Sequence, residues 1–183
     1  VGPALIYLPE CAFSEEKFLA DIKNEFENGE HPYIVVAVSE GIRHADGSYA
    51  AEAAMSGAVD SFGHKYLSGT GKYLENLVRE KIGCKVRSVE LNVMQRCASH
   101  ISSRTDINEA EKIGSAAVTA ALSGETGKMM AFRRILDMPY TVVIEPVPAE
   151  KVANKERFFP KKWINYDQNN VKDDALPYFL PLI

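Results

Sequence analysis

Long apolar runs are missing from this chain; none approaches the roughly 18–20 residues that a membrane-crossing helix needs. Cysteine is scarce. Cys11, Cys84 and Cys97 are widely spaced and form no CxxC, which argues against a disulfide framework or a zinc site and makes a reducing, cytoplasmic compartment the expectation. A surplus of positive charge is missing too: 21 Lys and Arg stand against 25 Asp and Glu, a net charge of −4. That balance disfavours broad nucleic-acid or membrane binding, while leaving room for a local basic cluster to hold an anion. There is no GxSxG nucleophile elbow, and no GxGxxG follows an apolar run. His31, His44, His64 and His100 lack the spacing of metal ligands and read as surface or packing residues. The first ten residues lack the basic n-region of a signal peptide, and the chain starts on Val1 rather than Met, which fits a piece of a longer polypeptide.

What is present is an ordinary globular mixture, 46% apolar and 25% charged, in 183 residues. Its first half alternates short apolar runs with amphipathic segments. Ala4–Leu8 reads as a buried strand stopped by Pro9. Ser14 then caps a helix whose apolar stripe is Phe18, Leu19, Ile22 and Phe26, with Phe13 and Phe18 at staple spacing and Gly29 at the end. Tyr33–Val38 shows no polar alternation, the pattern of a parallel strand buried on both faces. Residues 43–71, rich in Gly, Ala and Ser, give no clear element. Lys72–Ile82 reads as a helix ending at Gly83, and Lys85–Leu91 as a strand. Asp106, with Glu109 three residues on, reads as the capping box of a long helix that Gly124 closes. Lys128–Ile135 and Tyr140–Ile144 are strand-like, and a short helix is expected near 149–154. The order predicts an α/β fold, a Rossmann-like parallel sheet flanked by helices.

Ligands of open parallel sheets bind beyond the carboxyl ends of the strands. Glu40 lies at such an end, beside Gly41, where a carboxylate can accept hydrogen bonds from hydroxyls; a turn carboxylate at the surface is the plainer alternative. Arg87 and Arg96 span a strand and its exit. Guanidiniums suit phosphate oxygens because their planar fork binds two at once; solvated or ion-paired arginines are the plainer alternative. Together the three suit a sugar phosphate. Ser68–Lys72 hints at a phosphate cradle but lacks the GxxxxGK[ST] spacing, so a loop leading into a helix is the better reading. Lys161-Lys162-Trp163 is thin support for nucleic-acid stacking, and packing of Trp163 is the better reading.

Several stretches, in order, resemble the C-terminal half of the phosphofructokinase family, most of all its pyrophosphate-dependent branch. They are Leu5–Glu10 (LIYLPE), Val36–Gly41 (VAVSEG), Asp60–His64 with Leu67–Gly71, Arg87 through Gln95-Arg96, and Gly124–Met130 (GETGKMM). The resemblance implies a phosphofructokinase-type fold, truncated, and a parent enzyme that transfers phosphoryl to O1 of fructose 6-phosphate with Mg²⁺, pyrophosphate being the expected donor and ATP the alternative. It implies that Glu40 binds hydroxyls of the sugar, that Arg96 binds the sugar, and that Arg87 reaches its 6-phosphate, often across a subunit boundary. Homo-oligomers are implied, and no nucleic acid or membrane partner. The implied division is a partial substrate-binding domain over 1–105, then 106–183 returning toward the donor domain with an irregular extension.

The departures are informative. Val93 stands where the family usually has His or Tyr three residues before the second Arg, and a valine makes no polar side-chain contact. Asn92 replaces the usual Gly. Gly29–Pro32 carries none of the basic residues that hold an allosteric nucleotide in ATP-dependent relatives, which fits a pyrophosphate user. The family's donor-phosphate loop, its catalytic base and its Met-Gly-Arg segment belong to the half that precedes Val1. No catalytic residue or metal ligand is therefore assigned in this chain; alone it is expected to be inactive, and to expose apolar surface near 106–122. A non-catalytic sugar-phosphate-binding or assembly module is the alternative that Val93 motivates.

Overall fold

The computed structural model describes residues 2–52 and 69–183. The Asp60–Ser68 part of the family-like pattern lies outside the described residues. The chain divides into two compact units, 1–91 with 159–172, and 92–158 with 173–183. The sequence suggested a break at 105/106; the first division falls at 91/92, and a later stretch returns to the first unit.

In the first unit, β1 (Leu5–Tyr7) pairs in parallel with β2 (Val36–Val38), Leu5 opposite Val36 and Tyr7 opposite Val38. Parallel neighbours need a crossover, and helix α1 (Glu15–Asn28) supplies it. The helix starts where the sequence indicates: the Ser14 hydroxyl accepts the Lys17 N–H at 3.3 Å, and Glu15 and Glu16 sit in the first turn, where the helix dipole favours them. Phe18 and Ile22 turn into the core and meet Leu5, Tyr7 and Phe13, with Leu74, Leu77 and Val78 from a second helix, α2 (Thr70–Lys81). Tyr7, Phe13 and Phe18 form a ring cluster with centroids 5.2–5.9 Å apart. Glycine at position 83, φ +79°, follows α2, a left-handed conformation that suits glycine.

The two edges of this sheet differ. The outer edge of β1 is closed by the returning segment 159–172: the Ile6 N–H donates to the Asn169 carbonyl at 2.8 Å, and the Asn170 side chain donates to the Ala4 carbonyl at 2.9 Å. The outer edge of β2 pairs with no strand among the described residues. Tyr33–Val38 was expected to be covered on both faces; instead Ile34, Val36 and Val38 turn inward while Tyr33 and Val35 are exposed. The expected strand at Lys85–Leu91 also needs correction. Ile82, Cys84, Val86 and Ser88 are half-buried and the residues between them exposed, the period-two pattern of a strand lying on a helix. Yet among the described residues no ladder forms there. A strand is defined by a neighbour, and an apolar groove of about 600 Å³ separates this segment from β2.

The second unit begins with α3 (Asn92–Arg96), followed by α4 (Arg104–Leu122), β3 (Lys128–Asp137) and β4 (Tyr140–Pro148). The N-cap of α4 is Ser103, whose hydroxyl accepts the Asp106 N–H at 3.3 Å. Asp106, expected as the cap, is one turn inside, because Ser103 offers the same side-chain acceptor three residues earlier. Glu109, expected as its partner, accepts from the Tyr140 hydroxyl at 2.7 Å and so ties α4 to β4. Strands β3 and β4 form an antiparallel hairpin with an irregularity between Arg134 and Leu136. Arg134 lies between the Tyr140 and Tyr178 rings and donates to the Tyr178 carbonyl at 2.7 Å, fastening the last helix, α5 (Leu176–Phe179), to the hairpin. A 3₁₀ turn at Ala149–Lys151 stands where a short helix was expected. No described helix is long and apolar enough to cross a membrane.

Candidate functional site

Glu40 stands just past the carboxyl end of β2, in a turn with Gly41. The backbone there is held from several sides. The Ser39 N–H donates to the Tyr7 carbonyl at 3.1 Å, the Ser39 hydroxyl accepts the Gly41 N–H at 3.2 Å, and the hydroxyl of fully buried Thr70 donates to the Glu40 carbonyl at 3.1 Å. The Glu40 side chain is exposed. A carboxylate on a fixed turn, with no hydrogen-bond donor on it among the described residues, is what reading the hydroxyls of a ligand requires.

Arg87 lies on the segment facing β2 and lines the groove with apolar Val36, Val38 and Val86. It is exposed, and among the described residues no carboxylate engages it. Its neighbour Ser88 turns the other way, toward α2. There Glu75, 8% exposed, accepts the Ser88 N–H at 3.0 Å and the Ser88 hydroxyl at 2.6 Å on one carboxylate oxygen. Its other oxygen accepts Lys72 at 2.7 Å and also meets Arg79. The Lys72 ammonium and then the Ser88 hydroxyl and amide hold the Glu75 carboxyl well below the usual carboxylate range. Gly71 belongs to the same contact: a Cβ there would come within 3.2 Å of the Ser88 Cβ. The Ser68–Lys72 stretch, singled out in the sequence as a weak phosphate-cradle hint, thus places Thr70 on Glu40, Gly71 against Ser88 and Lys72 on Glu75.

Val93 and Arg96 belong to the second unit. Both lie on α3, Arg96 as its last residue; Val93 is 68% exposed, and Arg96 is exposed with no carboxylate on it among the described residues. Asn92, at φ +36°, opens this helix in the conformation a glycine adopts most easily. The four positions are therefore divided, Glu40 and Arg87 on one unit, Val93 and Arg96 on the other.

Glu75 carries no signal of a role in the sequence, and Thr70 carries one only as part of the Ser68–Lys72 stretch, which points to a phosphate cradle rather than to a contact with Glu40. Glu75 sits three residues after Lys72 and four before Arg79, which reads as a solvated helix face. Its burial depends on Ser88, thirteen residues away. Among the described residues no three of His, Cys, Asp and Glu gather as a metal site.

Comparison with known proteins places these residues in a family. The phosphofructokinase family model matches residues 1–121. A pyrophosphate–fructose 6-phosphate 1-phosphotransferase of Xanthomonas campestris is 39% identical over 100% of this chain and 43% of its own length. One of Methylococcus capsulatus is 37% identical over 98% of this chain and 41% of its own. The crystal structure of a pyrophosphate-dependent phosphofructokinase from Marinobacter aquaeolei superposes with a TM-score of 0.76 at 29% identity, covering 100% of this chain and 41% of that one. The chain spans less than half the length of these relatives, and it belongs to the phosphofructokinase family.

Proposed function

We propose that the polypeptide this chain represents transfers a phosphoryl group to O1 of fructose 6-phosphate, giving fructose 1,6-bisphosphate, with pyrophosphate as donor and ATP as the alternative donor. The observation that carries this reading is alignment along the whole chain with proteins named for that reaction. Phosphoryl transfer of this type depends on positioning and charge stabilisation more than on covalent chemistry. This chain contributes the acceptor side. Arg87 takes the 6-phosphate; its guanidinium is exposed and, among the described residues, carries no competing carboxylate. Arg96 takes the sugar. Glu40 accepts sugar hydroxyls from its fixed turn and so orients O1. Because such arginines can serve a neighbouring subunit, the reading includes a homo-oligomer. Mg²⁺ neutralises the charge of the transferred group in this chemistry; the family resemblance implies that its ligands lie in the part of the relatives that this chain does not span.

Val93 supports a second reading, a non-catalytic sugar-phosphate-binding or assembly module. Phosphoryl transfer by the complete polypeptide, assayed with each donor, separates the two: turnover with pyrophosphate is expected, and silence with both donors would leave the module. The isolated chain is expected to form no fructose 1,6-bisphosphate.

A further inference from the structure

We propose that helix α2 is the brace of the acceptor site, with Thr70 and Glu75 as positioning residues that set Glu40 and Arg87 respectively. The proposal rests on the roles assigned above to those two residues.

The helix reaches both from one side. At its first residue, Thr70 is 1% exposed and spends its hydroxyl on the Glu40 carbonyl. Together with the Ser39–Tyr7 bond this pins the Glu40 backbone while its side chain stays exposed. One turn on, Glu75 grips Ser88 through both the backbone N–H and the hydroxyl. That double grip fixes register. In the period-two segment 82–89, Ser88 faces the helix and Arg87 faces away; a slip of one residue would exchange them. No β-ladder holds this segment among the described residues, so the usual source of register is absent and the Glu75 contact takes its place. Lys72 and Arg79 compensate the carboxylate's charge, so that it holds Ser88 without an unpaired buried anion. Gly71 lets the helix approach Ser88 closely enough for the contact.

The test is steady-state kinetics of the complete polypeptide, varying fructose 6-phosphate and pyrophosphate separately. Glu75→Gln keeps one acceptor for Ser88 but loses the charge, and Ser88→Ala removes only the hydroxyl bond. Each is expected to raise KM for fructose 6-phosphate, by about tenfold and about threefold, with kcat and KM for pyrophosphate little changed. Thr70→Val is expected to act similarly through Glu40, with Thr70→Ser restoring the parent value. Should Glu75→Gln fold poorly, Ser88→Ala and the Thr70 pair carry the same test. If Arg87→Ala raises KM for fructose 6-phosphate while Glu75→Gln and Ser88→Ala leave it unchanged, the brace is wrong and the site reading stands. If Arg87→Ala has no effect, the site reading fails and the brace with it. A parallel loss of thermal stability and of both substrates' kinetics would mark Glu75 as structural only, and would also overturn the proposal.

Discussion

The two units bury their apolar residues very differently. The first draws Leu5, Tyr7, Phe13, Phe18, Ile22 and the inner face of α2 into one cluster. In the second, α4 buries none of its residues, with Val118 at 62% and Leu122 at 86% exposure, and the apolar residues of β3 and β4 are at most half-buried. An amphipathic helix gains most of its stability from packing, so the first unit carries its own core and the second presents a face made for covering. The family relationship fits this contrast, because relatives of more than twice the length have further chain to place against such a face.

The contrast can be broken most sharply by truncating one apolar side chain on each side of it. Phe18→Ala should cost the first unit about 3–5 kcal/mol in denaturant unfolding, whereas Val118→Ala should stay within about 0.5 kcal/mol. Comparable losses would mean that the second unit has a core of its own. A surface of this kind should also drive association at raised concentration. Leu122→Glu is expected to reduce it in sedimentation experiments, and a wild-type chain that stays monomeric throughout would remove the contrast.

Within the first unit the open edge of β2 offers a finer comparison. The Val35 carbonyl and the Ser39 N–H are used toward β1, so strand geometry turns the Val36 and Val38 amides toward the groove. Their hydrogen exchange should outpace that of Ala37 and Ser39 in the isolated chain. Equal protection would show the edge occupied, and protection that grows with concentration would identify a second copy as the occupant.

The smallest effect concerns acid. The Glu75 carboxyl is depressed below its ordinary value of 4.5, so its contribution to stability is complete above that value and fades as pH falls below it. Glu75→Gln should flatten the acid limb of the stability curve without altering its shape near neutrality. An unchanged acid limb would show that the contacts of the Glu75 carboxylate with Lys72, Ser88 and Arg79 together add nothing to folding.

Much of the first unit was legible in the sequence because its signals are local. Ser14, the staple pair and Gly29 bound α1 within a few residues of one another, and Gly83 marks the end of α2. The cap of α4 was misplaced by three residues because two acceptors, Ser103 and Asp106, compete at the start of one helix. The 82–91 segment shows why a strand cannot be read from one strip of sequence: its alternation is real, but the ladder depends on a neighbour. Among the residues proposed for the acceptor side, Glu40, Arg87 and Arg96 are singled out in the sequence by chemistry and spacing. Glu75 is not, and Thr70 stands out only within a stretch that points to a different role, since the partner of Thr70 is a backbone carbonyl and that of Glu75 lies across the fold.

The central claim is that this chain supplies the acceptor side of the reaction, and the most direct measurement is the KM for each substrate in Arg87→Ala and Arg96→Ala variants of the complete polypeptide. Losing a charged contact worth about 1.5–3 kcal/mol should raise KM for fructose 6-phosphate by roughly 10- to 150-fold while KM for pyrophosphate stays near its parent value. A selective rise in the pyrophosphate KM, or no change in either, would contradict the account.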